Sequence, residues 1–305
     1  MNLSIPHATN DSSQKPSRKH KLKLSTKAIV GIAIIALFVL VALLAPVIAP
    51  HSPTAESFTP GLAPNIHHWL GTNALGQGVF SQVVWGTRVS LLVAFSAGIL
   101  STFLSVIVGL GGGYARGNVD AILSLVTNVF LVIPTLPLVI VLSAYLHLAG
   151  QLPIILVIGL TSWAWGARSL RSQALSLAQR DYILEARLLG QPWWSIIFGE
   201  MLPNMASLVV SSLLFATINA LLTEAGLDFL GLGNVNTTSW GTMLYWAQNN
   251  DALLNGYWWW FLPPGLAIAI FGGSLAMVNF SIDEITNPRL RVYKVTKHKR
   301  KEEVS

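Results

Sequence analysis

Two carboxyl side chains stand alone in one of the most apolar parts of this chain. Glu224 and Asp228 are four residues apart, so on a helix they share one face. No Lys or Arg occurs between Arg187 and Arg289 to neutralise them. An acid inside a membrane is costly unless it faces protein or water. Either the pair lines the outer end of a translocation path and binds a cationic group such as a peptide N-terminus, or it lies at the headgroup boundary, partly protonated or bonded to local backbone.

Other chemically reactive groups are scarce. The chain has no cysteine, which excludes disulfides, thiolate metal sites and cysteine catalysis. It also lacks the G-x-x-x-x-G-K-[ST] loop that cradles the phosphates of ATP. An intramembrane enzyme would need a nucleophile with a base at depth, and the deep Ser and Thr residues have no base beside them. The sequence therefore predicts no catalytic residue, no metal site and no cofactor.

The composition predicts an all-α membrane protein. Only 10% of the residues are charged and the mean hydropathy is +0.57, whereas soluble domains carry about 25% charged residues. A transmembrane helix needs about 20 apolar residues, and the uncharged runs have room for six. The predicted spans are residues 28–49, 88–112, 120–147, 152–169, 204–227 and 258–281. Pro134 and Pro137 are expected to kink the third span.

The distribution of Lys and Arg predicts the orientation. These residues concentrate in the N-terminal tail, in residues 168–187 and in residues 289–301, and such segments stay in the cytoplasm. We therefore expect a disordered basic tail over 1–26, a transmembrane domain over 27–291 and a second cytoplasmic tail over 292–305. The expected location is the plasma (inner) membrane, as a multi-pass protein with both termini cytoplasmic. The net charge of +6 then fits anionic lipid, with no nucleic-acid partner.

Residues 181–203 form the only long polar-rimmed segment between the spans. Ile183, Ala186, Leu189 and Gly190 recur at helical spacing, opposite Glu185 and Arg187. Gly190-Gln191-Pro192 then breaks the helix, because Gly ends helices and Pro begins them. A second helix is predicted over 193–200, before Leu202-Pro203. This pattern favours a helix-turn-helix on the inner membrane surface, either gripped by a partner on its small apolar face at Ala186 or acting only as an interfacial connector.

The end of this segment carries a family resemblance. Gly190, nine residues, Glu200, one residue and then Leu202-Pro203 resemble the EAA loop of permease subunits in ATP-binding-cassette importers. Further matching stretches are HWLGTNALGQGVFSQVVWGTRVSLL from His68, LTEAGLDFLGLG from Leu222, SWGTML from Ser239, GYWWWFLPPG from Gly256 and DEITNPRLR from Asp283. Together they are similar to the dipeptide and oligopeptide class with the longer outer loop.

The chain departs from the family pattern at two places. The family loop usually has Glu six residues before the Gly, where this chain has Leu184, with Glu185 one place later. The outer loop of the family commonly carries charges where this chain has Asn73, Gln77, Gly78 and Gln82.

The resemblance implies a type I ABC importer transmembrane domain with a cytoplasmic coupling helix-turn-helix. The implied partners are a second homologous permease, two ATPase subunits that bind ATP, an extracytoplasmic solute-binding protein and membrane lipid. Coupling to the ATPases would involve Glu185, Ala186, Arg187, Gly190, Leu202 and Pro203. Peptides are the expected solute, with oligosaccharides or nickel as alternatives. An ion-driven secondary transporter would instead call for internal pseudo-symmetry and midplane charges, which the sequence does not display.

Overall fold

Helices make up almost all of the regular structure in the computed structural model, which describes residues 25–146 and 150–286. No strand occurs within those ranges. The predicted tails, 1–26 and 292–305, lie outside the described residues except for Ser25 and Thr26. The helices are α1 Thr26–Leu43, α2 Ala45–Ile48, α3 Val79–Ala115, α4 Gly117–Val132, α5 Thr135–Leu146, α6 Leu152–Thr161, α7 Trp163–Leu177, α8 Asp181–Leu188, α9 Trp193–Ser195, α10 Leu202–Asn204, α11 Ala206–Phe229, α12 Trp240–Asn249 and α13 Trp258–Thr286. A π-helical turn, Ile196–Met201, lies between α9 and α10.

The described chain contains the six predicted spans, although two of them are broken. The helices α1, α3, α11 and α13 are each long and apolar enough to cross a membrane alone. The other two spans are bent helix pairs, α4 with α5 and α6 with α7. The all-α membrane fold predicted from the sequence is therefore confirmed.

The second span is much longer than predicted. The predicted span was 88–112, but α3 is one helix of 37 residues that begins at Val79. No proline interrupts it, and Arg88 does not end it. Its first turns lie outside the bilayer length that about 20 residues cover, so a polar residue is tolerated there.

The third and fourth spans bend more sharply than predicted. The α4–α5 pair turns by 86° around Pro134, far beyond a simple kink. Proline lacks the N–H that would continue the helix, and its ring displaces the preceding turn. The α6–α7 pair bends by 40° at Ser162 and runs on to Leu177, past the predicted end at 169. Both bends lie within apolar segments.

The long helix α3 lies at the centre of the bundle, packed against α7, α11, α6 and α1. The pair α1 and α13 is antiparallel, with Lys27 Nζ 3.8 Å from Glu284 Oε1. Residues 51–78 and α12 lie at one end of the bundle, which we call the loop end. Residues 181–204 lie at the other, the helix-turn-helix end, beside the last turn of α3.

Glycines on α3 permit its close contact with α7. A Cβ atom added at Gly109 would lie 2.7 Å from the backbone oxygen of Ala167, and one added at Gly113 would lie 2.6 Å from the Cβ of Ala174. A Cβ added at Gly111, between them, meets nothing within 4 Å. Small residues of this kind let transmembrane helices approach closely. The glycine run is therefore a packing surface at Gly109 and Gly113.

We expect Gly109→Ala to destabilise the protein, because the backbone of α7 must move to admit one methyl group. Overpacking of this kind costs about 1–3 kcal/mol. Gly111→Ala is the matched control: it adds the same methyl group to the same helix in open space, where alanine also favours the helix. Thermal unfolding of the purified protein in detergent should show a lower midpoint for Gly109→Ala alone. Equal midpoints for both variants would contradict the close packing.

Candidate functional site

The segment over residues 181–204 folds as the predicted helix-turn-helix. The first helix, α8, ends at Leu188, and Gly190 takes a left-handed conformation with φ of +74°. That conformation is costly for residues with a Cβ atom. Pro192 then precedes α9, consistent with the preference of proline for helix starts.

The second half of the segment is not the regular helix predicted over 193–200. After the three residues of α9, the chain widens into the π-helical turn, in which Leu202 N–H donates to the carbonyl of Ile197. Pro203 has no N–H to extend an α-helical hydrogen-bond ladder. Single π-helical turns of this kind often occur at functional sites. Leu202 is half-buried against the buried cluster beneath the segment, whereas Pro203 is exposed.

One face of the helix-turn-helix is built into the bundle. The buried residues of this face and the bundle residues that they contact form one cluster, which we call the segment core. It contains Leu110 of α3, Leu170, Ala174 and Leu177 of α7 with the next residue Ala178, Ile183 and Ala186 of α8, Ile196, Ile197 and Met201 of the π-helical turn, and Met205 just before α11. Ala186 is only 6% exposed. The sequence placed Ala186 on a face open to a partner, but this small side chain instead lets α8 pack on its own subunit.

Arg187 joins the helix-turn-helix to α3. Its guanidinium lies over the ring of Tyr114 at 4.3 Å from the centroid, and Nη2 donates to the Tyr114 carbonyl at 3.2 Å. That carbonyl belongs to the last turn of α3, where carbonyls lack helical partners and a cation complements the helix dipole. Glu185, by contrast, is exposed.

The opposite face of the segment exposes large apolar side chains. Leu188 is 87% exposed and Leu189 is 80% exposed. Leu189 was expected on the apolar face with Ile183, but α8 ends before it and the chain turns outward. Trp193, Trp194 and Phe198 are also exposed beyond the turn. We call these five residues the apolar tip. Contiguous apolar surface of this kind marks sites that bind protein or membrane.

The acid pair lies at the loop end of α11, buried within the chain. Glu224 is 1% exposed and Asp228 is 3% exposed, so both carboxyl groups are surrounded by protein groups. Ser90 Oγ of α3 donates to Glu224 Oε1 at 3.3 Å and accepts from the backbone N–H of Trp240 at 3.2 Å. Ser239 Oγ donates to Asp228 Oδ2. The role of the two acids in a translocation path stays a prediction.

The acid pair anchors the start of α12. Ser239 is the N-cap of that helix and forms a capping box with Thr242. A Cβ added at Gly241 would lie 2.6 Å from Asp228 Cβ, and one added at Gly233 would overlap the Asp228 carboxyl group. Three elements, α3, α11 and α12, therefore meet at two carboxyl groups. Glu224 Oε2 and Asp228 Oδ1 are buried without a hydrogen-bond partner in the described part of the chain.

A neutral amide network stabilises the outer loop at the positions where the family commonly has charges. Asn73 Nδ2 and Gln82 Nε2 both donate to Gln77 Oε1, at 2.8 and 2.7 Å. Gln82 Nε2 also donates to the Pro53 carbonyl at 3.2 Å. Asn73 Oδ1 accepts from the backbone N–H groups of Leu75 and Gln77. Amide side chains thus connect the loop to the first turn of α3 without ion pairs.

A cavity of about 320 Å³ lies where the two broken spans meet α3 and α11. It was not among the sites predicted from the sequence. Its polar lining includes Ser212, Asn219 and Thr223 of α11, and their spacing of seven and four residues places them on one helix face. The spacing of these polar residues in an apolar span is the feature of the sequence that could have predicted a polar helix face here.

We expect the Asp228–Ser239 hydrogen bond to be measurable as an energetic coupling between the two residues in a double-mutant cycle. Asp228→Ala and Ser239→Ala should each lower the thermal midpoint in detergent, and the double variant should lose less than the sum of the single variants. A hydrogen bond of this kind contributes about 1 kcal/mol, and the cycle isolates it. Ser52→Ala combined with Asp228→Ala is the control, since exposed Ser52 is bonded only within its own loop. Additive losses for Asp228 and Ser239 would refute the anchor.

Comparison with known proteins places the chain in a family. Residues 101–292 match the family model described as binding-protein-dependent transport system inner membrane component. Residues 19–64 match the N-terminal TM domain of oligopeptide transport permease C.

Relatives of known annotation match along most of the chain. It is 30% identical to the dipeptide transport system permease protein of Bacillus subtilis (strain 168) over 292 residues, 92% of this chain and 89% of the relative. It is 31% identical to the oligopeptide transport system permease protein of the same organism, over 87% of this chain and 86% of the relative. A putative peptide transport system permease protein of Brucella suis biovar 1 (strain 1330) is 33% identical over 86% of this chain and 88% of the relative. The chain therefore belongs to the binding-protein-dependent transport system inner membrane components, as an ABC importer permease of the dipeptide and oligopeptide class.

Proposed function

We propose that this chain is one of two permease subunits of an ATP-driven importer of dipeptides or oligopeptides, and that the apolar tip of residues 188–198 is the surface that its ATPase subunits bind. ATP binding and hydrolysis belong to those partners. An extracytoplasmic binding protein delivers the solute, and a second homologous permease completes the pathway. The chain thus contributes half of the pathway and a mechanical connection, with no cofactor of its own.

The observation that carries this proposal is the division of the helix-turn-helix into two faces. The segment core packs α8 and the π-helical turn against α3, α7 and α11, while the apolar tip is exposed. A partner that binds the tip therefore acts on three spans at once, because packed interiors transmit displacement rather than absorbing it. Arg187 adds a direct contact to the end of α3.

The basic segments support a cytoplasmic position for this end of the bundle. Lys and Arg concentrate near residues 168–187 and in both tails, and segments rich in these residues stay inside. Lys27 at the start of α1 lies 3.8 Å from Glu284 near the end of α13, which supports the same side of the membrane for both ends of the described chain. With both termini and the apolar tip cytoplasmic, the loop end faces the binding protein.

Peptide is the solute that the relatives favour. The two Bacillus subtilis relatives are named for dipeptide and oligopeptide transport. The described residues contain no cluster of metal-ligating side chains. Nickel therefore has no support beyond the family resemblance, which left it open as an alternative solute. An ion-driven mechanism has less support, because Glu224 and Asp228 lie near the end of α11 rather than at its middle.

We expect the double variant Leu188→Ser, Leu189→Ser to lose ATPase binding. Removing two exposed leucines from the centre of a contact surface should lower ATPase retention by on the order of tenfold, since truncation of the central residues that dominate binding costs over 1 kcal/mol. The measurement is co-purification of the two ATPase subunits with the tagged permease complex.

The control is Leu253→Ser, Leu254→Ser. These two adjacent leucines are also highly exposed but lie at the loop end, so their replacement should leave ATPase retention unchanged. Equal retention in all three proteins would exclude the apolar tip as the docking surface. Wild-type uptake that requires an ion gradient and no ATP would reject the importer itself.

We expect Gly190→Val to abolish uptake while the protein still inserts into the membrane. A Cβ at this position meets nothing within 4 Å, so the penalty is backbone strain alone, about 1–3 kcal/mol for a residue held at this φ. The turn should relax and misplace the tip. Gly190→Asn is the control, because asparagine tolerates the left-handed region, and it should retain uptake. Full uptake with Gly190→Val would show that the turn geometry is dispensable.

A further inference from the structure

The cavity between the broken spans lies at the middle of the membrane-crossing bundle. Its α11 lining extends from Ser212 to Thr223, the central part of a helix that runs from Ala206 to Phe229. At 1.5 Å per residue these positions extend over about 16 Å. Ser101 and Ser105 of α3 and the bend residues Thr135, Thr161 and Ser162 also contribute to the polar lining. A volume of about 320 Å³ is at the lower end of the range for small-molecule sites.

The helix breaks explain why polar surface occurs at this depth. Irregular backbone inside a membrane is tolerated where it is buried in protein or lines a water-filled cavity. Both bends line this cavity, one through Ile133 and Thr135 and the other through Thr161 and Ser162. Thr161 Oγ1 donates to the Val157 carbonyl at 2.7 Å, and Ser105 Oγ donates to the Trp163 carbonyl at 2.7 Å. Discontinuous helices also form the solute sites of other transporters.

The cavity lining combines polar and apolar groups and contains no ionisable side chain. Hydroxyl groups and the Asn219 amide can both donate and accept hydrogen bonds. Aromatic and aliphatic side chains supply the remaining surface, and the ring centroids of Trp165 and Phe215 lie 4.7 Å apart. The buried acids Glu224 and Asp228 are not among the lining residues. The surface therefore matches a ligand with uncharged polar groups and has no counter-charge for an ion.

We propose that this cavity is the solute-contacting surface of the subunit and that it recognises the uncharged amide backbone of a peptide, without selecting for the charge of its side chains. The inference rests on the importer function proposed above. Peptide N–H and C=O groups pair with hydroxyls in either direction, so one neutral surface accommodates many sequences. A charged lining would instead favour one class of side chain and hinder the other.

The test places a charge in the cavity and measures peptide preference. Complete transporters with binding protein are reconstituted in liposomes and supplied with Ala-Ala-Ala, Ala-Lys-Ala or Ala-Glu-Ala. The variants are Asn219→Asp and Asn219→Lys, at a position whose Nδ2 donates to the Phe215 carbonyl at 2.9 Å. The ratio of Ala-Lys-Ala to Ala-Glu-Ala uptake should rise about threefold with Asp and fall about threefold with Lys, the scale of a partly screened charge pair.

Asn249 provides the matched control. It is exposed on α12, outside the cavity, and its Nδ2 donates to the Tyr245 carbonyl at the same 2.9 Å and the same four-residue spacing. Asn249→Asp and Asn249→Lys should leave the uptake ratio unchanged. Reciprocal shifts at residue 219 alone support the proposal, whereas equal ratios for both Asn219 variants, or equal shifts at both positions, overturn it.

A second variant covers failure of the charged variants to fold. Asn219→Ala with Thr223→Val removes two polar groups without adding charge. We expect severalfold lower uptake of all three peptides, with the stimulation of ATPase activity by the binding protein retained. Unchanged uptake overturns the cavity assignment. If the wild-type transporter imports none of the peptides, the proposed function itself fails, which separates that outcome from failure of the cavity assignment.

Discussion

The absence of water in the bilayer core is the constraint on which the arrangement of this protein depends. Each backbone N–H and C=O group at depth must find a partner inside the protein. Four spans meet this requirement as continuous helices, but the other two break at Pro134 and Ser162. Their irregular backbone lies next to α3 and α11, where side-chain hydroxyls donate to carbonyls near the bend. Both breaks thus contribute polar groups to the cavity that lies between these spans, α3 and α11.

Lipid provides no hydrophobic driving force between helices, and this explains why α3 and α7 pack so closely. Association there depends on van der Waals contact, so small residues matter at the interface. Gly109 and Gly113 bring the backbones together, and the same stretch of α3 then carries Leu110 into the segment core. The helix-turn-helix is therefore fastened to the most tightly packed pair in the bundle. Its tip, with Leu188 and Leu189, remains exposed.

Much of this architecture can be predicted from the sequence, and the predictions that were wrong failed for physical reasons. Hydropathy gives the six spans because the bilayer sets a length, and Gly190-Gln191-Pro192 gives the turn because each residue type has a restricted backbone. Hydropathy does not give the 86° bend at Pro134, since the identity of a proline does not fix how far neighbouring helices let it turn. The start of α3 at Val79 was missed because Arg88 was taken as a boundary, although a helix can continue beyond the bilayer.

The candidate site also has features that the sequence predicts and features that depend on how distant elements pack. Spacing alone placed Glu224 and Asp228 on one face, but their burial depends on α12, which begins twelve residues beyond Asp228 in the chain and packs through Gly241. Similarly, Ala186 is recognisable as small and apolar, but which neighbour it faces is decided by α7 and the π-helical turn. The cavity needed four elements to be brought together, so the spacing of Ser212, Asn219 and Thr223 hinted at a polar face without showing what lies opposite.

Helix α11 connects every part of the site. It follows directly from the helix-turn-helix, carries the polar cavity face at its centre and ends at the acid pair that anchors α12. Its 24 residues contain no proline, so it behaves as one rigid element about 36 Å long. A displacement delivered at its first turn must therefore move the cavity lining and the α12 anchor together. A break in α11 would let the cavity lining and the α12 anchor move separately. The breaks in the third and fourth spans, by contrast, leave those spans free to adjust around α11.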